Sequence, residues 1–453
     1  MIRRLAAMSL VGVFAFSLML MSLTVNTVRA DNPTATPAPT ATPVVADVGT
    51  GSVKLTYWNG LTGGDGDVMQ KMIQAFAKDN PDISIHAESY LWDIMFQKLT
   101  AAFVAGEPPD VFVLHTQDVP QFASLGVLRE SDDMYDTNGG PLPMKDYSNI
   151  DATVYKGKHY GVLLDNHGFG TWVNLNLFKT AGVDENTPAP KNADEYIKLA
   201  TKLTLDANGK HPDETGFDVK NVKQWGTGID WIRVQWESFL FQFGGQMVSQ
   251  DGKTGTVNSD AGKQALNFMH DMIYKYHIAP DPTQVNGYNA FQAGQIAIMP
   301  SGTWFRDVLV DQHPEIKWTA WPMIQVGTKP AVWVSAHVMF IASSLEDATK
   351  LAAAKKFIQY LTENDAIWAQ SGHVPARISH QGKLDVKTYP SNITFGKTFQ
   401  EYGTFEPQNE NITEIENALD PELAAALNNQ KTVDQALNDA NTRIQTVLDR
   451  QTH

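Results

Sequence analysis

Apolar and polar residues alternate along the chain with two periods, which predicts a succession of strands and helices. Residues 53–58 (VKLTYW) alternate with a period of two, as a half-buried strand does. Residues 68–78 place apolar side chains three and four positions apart, as one face of a helix does. A strand over 83–87, a helix over 92–104 and an apolar run over 111–114 repeat the alternation. This β-α-β-α-β order predicts a doubly wound α/β sheet, with ligands beyond the carboxyl ends of its strands.

Residues 161–178 (GVLLDNHGFGTWVNLNLF) interrupt this pattern. The stretch begins as a buried strand, inserts Asp165, Asn166, His167 and glycines, and then becomes apolar again. Glycine allows the backbone to bend, and polar side chains are poor material for a core. The stretch therefore predicts a polar bend between two hydrophobic runs.

The first 30 residues are typical of an export signal. Arginines precede an uncharged apolar run from Leu5 to Val25, and a small residue, Ala30, offers a cleavage site. An uncleaved membrane anchor is the alternative, because the run is long enough to span a bilayer. Either way the folded part is expected to be exported, to the periplasm or the cell surface. Residues 31–52, rich in Thr and Pro, predict an extended linker outside the fold.

Charge and cysteine content narrow the range of functions that the chain could have. The 453 residues carry a net charge of −15, which argues against a nucleic-acid or anionic-membrane partner. No cysteine is present, which removes disulfides and makes a structural zinc site unexpected. The twelve histidines show no ligand-like cluster along the sequence, so neither a metal nor a cofactor is predicted. Acidic turns at 65–67 and 206–209 hint at calcium but complete no EF-hand spacing.

Four stretches of the chain follow one another in a characteristic order, and the first of them consists of two short segments. They cover residues 76–83 with 90–93, 106–128, 155–182 and 290–304; the second begins GEPPDVFVL and the last reads AFQAGQIAIMPSGTW. Each segment alone is weak evidence for a family, but the segments keep this order and spacing over nearly the whole chain that follows the predicted export signal. Together they resemble the extracellular solute-binding proteins of carbohydrate ABC importers, in the group that includes maltose-binding protein. The lipobox cysteine of many such proteins is missing, which leaves the mode of anchoring open.

The resemblance implies the two-lobed periplasmic-binding-protein type II fold, in which two sheets flanked by helices are joined by hinge crossings with a cleft between them. It implies a first lobe from residues 53–165 with 324–370, and a second lobe from 168–322 with 374–453. The implied function is non-catalytic: a monomer binds a mono- or oligosaccharide outside the cytoplasm and delivers it to the permease subunits of an ABC importer by hinge closure.

A sugar site needs aromatic faces for the C–H surfaces of the ring and polar groups for the hydroxyls. Strand ends and the resemblance together select the ligand-binding candidates: Trp58, Asn59, Trp92, His115, Thr116, Gln117, Asp165, Asn166, His167, Trp231, Trp236, Trp304, Trp333, Ser335, His337, His373 and Arg377. At least one of Trp231 and Trp236 is expected to face the ligand. Core packing is the competing role for the tryptophans and His337, and Arg377 could instead pair with a surface carboxylate.

Three other functions stay open at this point. An exported carbohydrate-active enzyme needs a paired acid and base, but the chain has no nucleophile-elbow, zinc-protease or phosphate-loop motif. The same fold could bind a non-sugar solute, although few basic residues are candidates for an anionic ligand. A sensor partner that hands its ligand to a membrane receptor would differ only in its docking surface.

Overall fold

The computed structural model describes residues 43–450, so the predicted export signal and most of the predicted linker lie outside the described residues. The strands are β1 (Val44–Val48), β2 (Val53–Asn59), β3 (Ile83–Ser89), β4 (Val111–His115), β5 (Val154–Tyr155), β6 (Lys158–His159), β7 (Val162–Leu163), β8 (Asp165–Asn174), β9 (Leu205–Asp206), β10 (Val222–Thr227), β11 (Ile296–Gly302), β12 (Trp318–Trp321), β13 (Val332–Ser335), β14 (His337–Ile341), β15 (Val374–Pro375) and β16 (Gly403–Phe405).

Helices surround these strands. They are α1 (Gly64–Asp79), α2 (Trp92–Ala105), α3 (Val119–Ser124), α4 (Leu175–Thr180), α5 (Ala193–Leu203), α6 (Ile232–Gln242), α7 (Asp260–Tyr274), α8 (Gly287–Gln292), α9 (Phe305–Asp307), α10 (Ala348–Glu363), α11 (Asp365–Trp368), α12 (Ile378–Gln381), α13 (Pro390–Tyr402), α14 (Ile412–Leu427) and α15 (Val433–Asp449). Among residues 43–450, no helix combines the length and the apolar character needed to cross a membrane.

The first lobe is built on a sheet of strand order β1-β3-β2-β4-β14-β7. β2 pairs in parallel with β3 and β4, and α1 and α2 connect these strands, which confirms the predicted β-α-β-α-β series. α1 ends where the backbone N–H of Asn80 closes the last turn on the carbonyl of Phe76. α2 ends at Gly106, whose φ of 76° is a left-handed conformation that suits glycine.

The second lobe is built on a sheet of strand order β16-β13-β8-β11-β10-β9, and its central strand β8 is buried along its whole length. β8 starts at Asp165, so the predicted polar bend is a continuous strand. Its glycines serve close packing: a Cβ at Gly170 would lie 1.8 Å from the Phe395 ring, and one at Gly168 would lie 3.0 Å from that of Phe399. The glycines therefore let α13 approach the sheet, which corrects the expectation that they provide backbone freedom.

Two separate apolar cores define where the chain passes from lobe to lobe. Leu164 packs in the first core and Phe169 in the second, so the chain first passes between the cores within residues 164–169. Residues 324–334, expected in the first lobe, contribute apolar side chains to the second core, whereas Ala336 belongs to the first. The second crossing therefore lies at Ser335, between β13 and β14.

The predicted linker contains a strand. β1, within residues 31–52, pairs antiparallel with β3 along its full length and extends the first sheet at its edge. Its side chains stay largely exposed, with Val44 69% and Val45 50% accessible. An edge strand can join a sheet through the backbone hydrogen bonds of its neighbour, and of the side chains of β1 only Val48 packs against the first core.

We expect Phe112→Ala, in the first core, to destabilise the protein strongly. Phe112 is fully buried on β4 and its ring contacts those of Phe103 and Phe340. Its truncation should lower the free energy of unfolding by about 3–5 kcal/mol in urea titrations followed by tryptophan fluorescence. Val104→Ala, at a side chain that is 86% exposed, should stay within about 0.5 kcal/mol of the parent. Equal losses in the two variants would contradict the assignment of this core.

Candidate functional site

The centre of the site is the buried carboxylate of Asp165, at the first residue of β8. Its Oδ1 accepts hydrogen bonds from the backbone N–H of His337 and from Nδ1 of His167, both at 3.0 Å. Its Oδ2 accepts from Nδ1 of His337 at 2.7 Å and from Nε1 of Trp368 at 2.6 Å. Burial alone would raise the pKa of Asp165, but His337, His373 and these hydrogen bonds hold it well below its ordinary value. The group is therefore a buried anion with four donors.

Histidines surround this carboxylate. The ring centroids of His167 and His337 lie 4.3 Å apart, those of His337 and His373 5.1 Å, and those of His115 and His337 5.2 Å. Burial lowers the pKa of His373 to about 3 and that of His167 well below its ordinary value. Both rings are therefore neutral at pH 7 and can donate from one nitrogen while accepting at the other.

Aromatic rings enclose the histidines from both lobes. Trp92, on the first lobe, stacks on His337 with centroids 5.6 Å apart and planes inclined by 11°. From the second lobe, Trp304 and Trp333 meet His167 at 6.1 Å and 5.9 Å. The sequence-predicted residues Trp92, His115, Asp165, His167, Trp304, Trp333, His337 and His373 are thus brought together.

Of the two tryptophans left open by the sequence, the structure exposes one and buries the other. Trp231 is 53% exposed, meets Trp304 edge-on at 5.9 Å and has a φ of 46°. This left-handed conformation is strained for a bulky residue, and such strain clusters at functional sites. Trp236 is fully buried in the second core and donates from Nε1 to the carbonyl of Gly262. Its assignment to the ligand is corrected to core packing.

Three further predicted residues meet beside this centre. Ser335 Oγ donates to Gln117 Oε1 at 2.7 Å and lies 3.2 Å from Thr116 Oγ1. A cavity of about 300 Å³ opens next to them and is lined from both lobes, with Asn149 on one side and Glu406 on the other. This volume is at the lower end of the range for ligand pockets.

The lobes also touch at the opposite edge of the site. A Cβ added to Gly64, at the start of α1, would lie 1.4 Å from Oδ2 of Asp307 in α9. Backbone of the first lobe is therefore in direct contact with a side chain of the second. The two lobes are therefore in contact between α1 and α9.

Two predicted residues of the first lobe are engaged within that lobe. Trp58 donates from Nε1 to Glu88 at 2.8 Å and meets Tyr90 edge-on at 5.5 Å. Asn59 is buried and its Oδ1 accepts the backbone N–H of Leu61. These contacts orient the loop after β2, and the structure does not bring either side chain to the Asp165 centre.

Two more predicted residues pair with the segment that precedes β5. Arg377 donates from Nε to Asp146 at 2.6 Å and stands over the ring of Tyr147 at 5.6 Å. This is the carboxylate pairing that the sequence left open as its alternative role. Asn166 accepts from Asn149 at 2.7 Å and so ties the start of β8 to the first lobe.

The sequence missed two side chains of the site. Trp368, which is not among the predicted ligand-binding residues, donates to Asp165 and stacks on His373 at 5.1 Å with planes inclined by 24°. Glu406 accepts from Nε1 of Trp333 at 2.6 Å. The GHVPAR motif at 372–377 places Trp368 next to a predicted crossing and could have indicated it, but no local pattern distinguishes Glu406.

The candidate cations of the cleft are already paired. Nη1 of Arg233 lies 3.0–3.1 Å from Glu237, Glu406 and Glu416, and Nε lies 3.0 Å from Asp420. Burial, together with the neighbouring carboxylates, raises the pKa of Glu237 and Glu416 well above the ordinary value. The guanidinium of Arg233 is thus surrounded by carboxyl groups of the protein.

The histidines also form a cluster that sequence spacing did not reveal. Ligand-capable atoms of Asp165, His167, His337 and His373 all lie within 4.8 Å of one another, and all four residues are buried. The expectation that the histidines form no ligand-like cluster is therefore wrong. The residues come from distant parts of the chain, and only the meeting of β8, β14 and β15 brings them together.

Comparison with known proteins shows to which class this fold belongs. The fold matches that of an ABC substrate-binding protein of Listeria monocytogenes in complex with cycloalternan, at a TM-score of 0.74 and 23% identity over 87% of this chain and 99% of that one. It also matches the maltose/maltodextrin-binding domain of Bdellovibrio bacteriovorus bound to maltotriose, at 0.73 and 22% identity over 88% and 100%. The fold is thus that of the two-lobed solute-binding proteins.

The sequence comparisons are more specific about the family. A maltotriose-binding protein of Pyrococcus abyssi is 22% identical over 77% of this chain and 72% of its own length. Residues 60–368 match the family described as bacterial extracellular solute-binding protein. The chain belongs to this family, which confirms the resemblance and the α/β two-lobed fold expected from the sequence.

A buried carboxyl beside Trp231 makes stability depend on pH. Asp230 accepts a hydrogen bond from Ser301 Oγ at 2.5 Å, and burial raises its pKa from 3.8 to about 6. The folded state then binds more protons than the unfolded state between pH 4 and pH 6. The ionised form is disfavoured in the folded state, so stability is lost as the pH rises through this window.

Asp230→Asn should therefore gain stability relative to the parent as the pH rises. The difference in free energy of unfolding between variant and parent should shift by about 3 kcal/mol in favour of the variant from about pH 4 to pH 7, measured in urea. A difference that stays constant with pH for Asp230→Asn would refute the raised pKa.

Proposed function

We propose that this protein binds a neutral carbohydrate outside the cytoplasm and delivers it to the membrane subunits of an ABC importer. The observation that carries the proposal is the combination of aromatic rings and uncharged polar groups at the contact of the two lobes. Trp92 and Trp304, both half-buried, bring aromatic rings to this contact from opposite lobes. Thr116 and Gln117 border the cavity, and Gln117 accepts a hydrogen bond from Ser335; such uncharged side chains donate and accept hydrogen bonds, as sugar hydroxyls require.

Charge pairing supports a neutral rather than an anionic solute. Arg233 is surrounded by carboxylates, and Arg377 is paired with Asp146. Arg306, the remaining candidate, donates to the backbone carbonyls of Gln370 and Thr388. An anionic ligand would have to compete with these partners for each cation, whereas a sugar needs none of them. The relatives named for maltotriose and cycloalternan are consistent with this ligand class.

Closure of the lobes is the proposed mechanism. The three crossings bring β8, β14 and β15 together at Asp165, and the lobes meet at Gly64 and Asp307. A ligand that contacts both lobes favours this closed form by its differential affinity for it. The closed form is then the species that the permease recognises. The protein acts as a monomeric carrier that leaves the cytoplasm through its N-terminal signal, and it makes and breaks no covalent bond.

A carbohydrate screen tests this function directly. Thermal unfolding of the exported chain should be shifted upward by at least one member of a panel of mono-, di- and oligosaccharides. A ligand present at about 100 times its dissociation constant adds about 2.7 kcal/mol of stability. Assay of the same samples for released reducing ends distinguishes binding from hydrolysis. No shift with any sugar, or turnover of a glycoside, would reject the carrier function.

Trp304→Ala tests the aromatic face. With the ligand found in the screen, the variant should bind at least about tenfold more weakly, a loss of about 1.4 kcal/mol, measured by isothermal titration calorimetry. Trp318→Ala is the matched control, because Trp318 on β12 packs edge-on against Trp172 within the second lobe. The control should keep the parent affinity. Unchanged affinity in Trp304→Ala would remove this ring from the site.

A further inference from the structure

We propose that Asp165, His167, His337 and His373 form a binding site for a divalent transition metal, with zinc as the best fit. Their ligand-capable atoms lie within 4.8 Å of one another and all four side chains are buried. The exposed fraction is 3% or less for each. The site goes beyond carbohydrate binding and does not depend on it, because every ligand comes from the protein.

The donor set selects the class of metal. Three imidazole nitrogens and one carboxylate oxygen match the ligand types and the coordination number of zinc. Calcium and magnesium prefer sites made of oxygen, so this set disfavours both. Zinc bonds of about 2.0–2.1 Å in a tetrahedron place the ligand atoms about 3.3 Å apart. The four groups therefore need to approach by about 1.5 Å at most, which side-chain rotation can provide.

His373 provides an independent indication. Ser371 Oγ donates its hydrogen to the carbonyl of Trp368 at 2.6 Å, so it accepts from Nδ1 of His373 at 2.8 Å. The proton of this imidazole is therefore on Nδ1, and Nε2 carries a lone pair. Nε2 is buried and has no hydrogen-bond partner among the described residues. A ring held in one tautomer with an unused buried lone pair is the arrangement of a metal ligand with its supporting hydrogen bond.

Asp165 is supported in the same way. Nε1 of Trp368 and the backbone N–H of His337 donate to its two oxygens and fix the orientation of the carboxylate. Metal binding would replace the hydrogen bonds that Asp165 accepts from the rings of His167 and His337 by bonds to the metal. Those rings would bind as neutral imidazoles that carry their proton on the other nitrogen.

The site would join the two lobes. His337 begins β14 of the first lobe, whereas His167 lies in β8 of the second lobe and His373 precedes β15, which also pairs with β8. Trp92 and Trp304 flank the same histidines. A bound metal would therefore hold the crossings together at the floor of the proposed carbohydrate cleft.

Zinc alone, with no carbohydrate present, is the probe. The exported chain is stripped with a chelator, loaded with zinc, passed through gel filtration and analysed by mass spectrometry for bound metal. One equivalent of zinc should be retained. Cobalt in place of zinc should give the intense visible absorption of a four-coordinate ion. Because no sugar is involved, failure of this experiment is separate from failure of the carbohydrate screen.

Two variants test whether the metal binds at this cluster. His373→Gln should weaken zinc binding by more than about 100-fold, since it removes a ligand and not merely a supporting residue. His86→Gln is the matched control: this exposed histidine also pairs with an aspartate, at 2.7 Å from Asp47. It should retain one equivalent at the parent affinity.

The proposal is overturned by any of three results. These are no zinc retained by the parent, the weak spectrum of six-coordinate cobalt, and parent-like affinity in a folded His373→Gln. If that variant does not fold, the retained zinc and the cobalt spectrum of the parent decide the matter by themselves.

Discussion

A buried carboxylate is the constraint on which the inter-lobe region depends. An ionised Asp165 removed from water costs several kcal/mol unless each oxygen is satisfied. Its four donors come from His167, His337 and Trp368, in three separate parts of the chain. The crossing strands and the end of α11 must therefore converge at one point. That convergence determines where the floor of the cleft lies.

Around this anion, charge elsewhere in the cleft is balanced locally. Arg233 lies among acidic side chains of α6, α14 and the segment after β16, and Arg377 is held by Asp146. What remains for a solute is aromatic surface and neutral hydrogen-bonding groups. Burial keeps the imidazole of His373 neutral.

Much of the fold could be predicted from local pattern. The period-two and helical spacings gave the β-α-β-α-β series of the first lobe in the right order, because one buried face per element is enough to define each period. The pattern was less informative at residues 165–170. There a polar, glycine-containing stretch indicated a bend, whereas the distant rings of Phe395 and Phe399 require glycine in a straight strand. The same sequence is compatible with a bend and with a straight strand, and tertiary packing determines which of the two forms.

The sequence alone determined the class, because the order and spacing of short segments across the chain identified a solute-binding protein. Only the tertiary structure decided which of the candidate side chains meet. Trp231 and Trp236 stand five positions apart in similar surroundings, yet one is half exposed and the other fully buried. Likewise, no spacing joins His167 to His373. Exposure and contact depend on segments that are far apart in the sequence. Contacts between such segments produce no periodic pattern in the sequence.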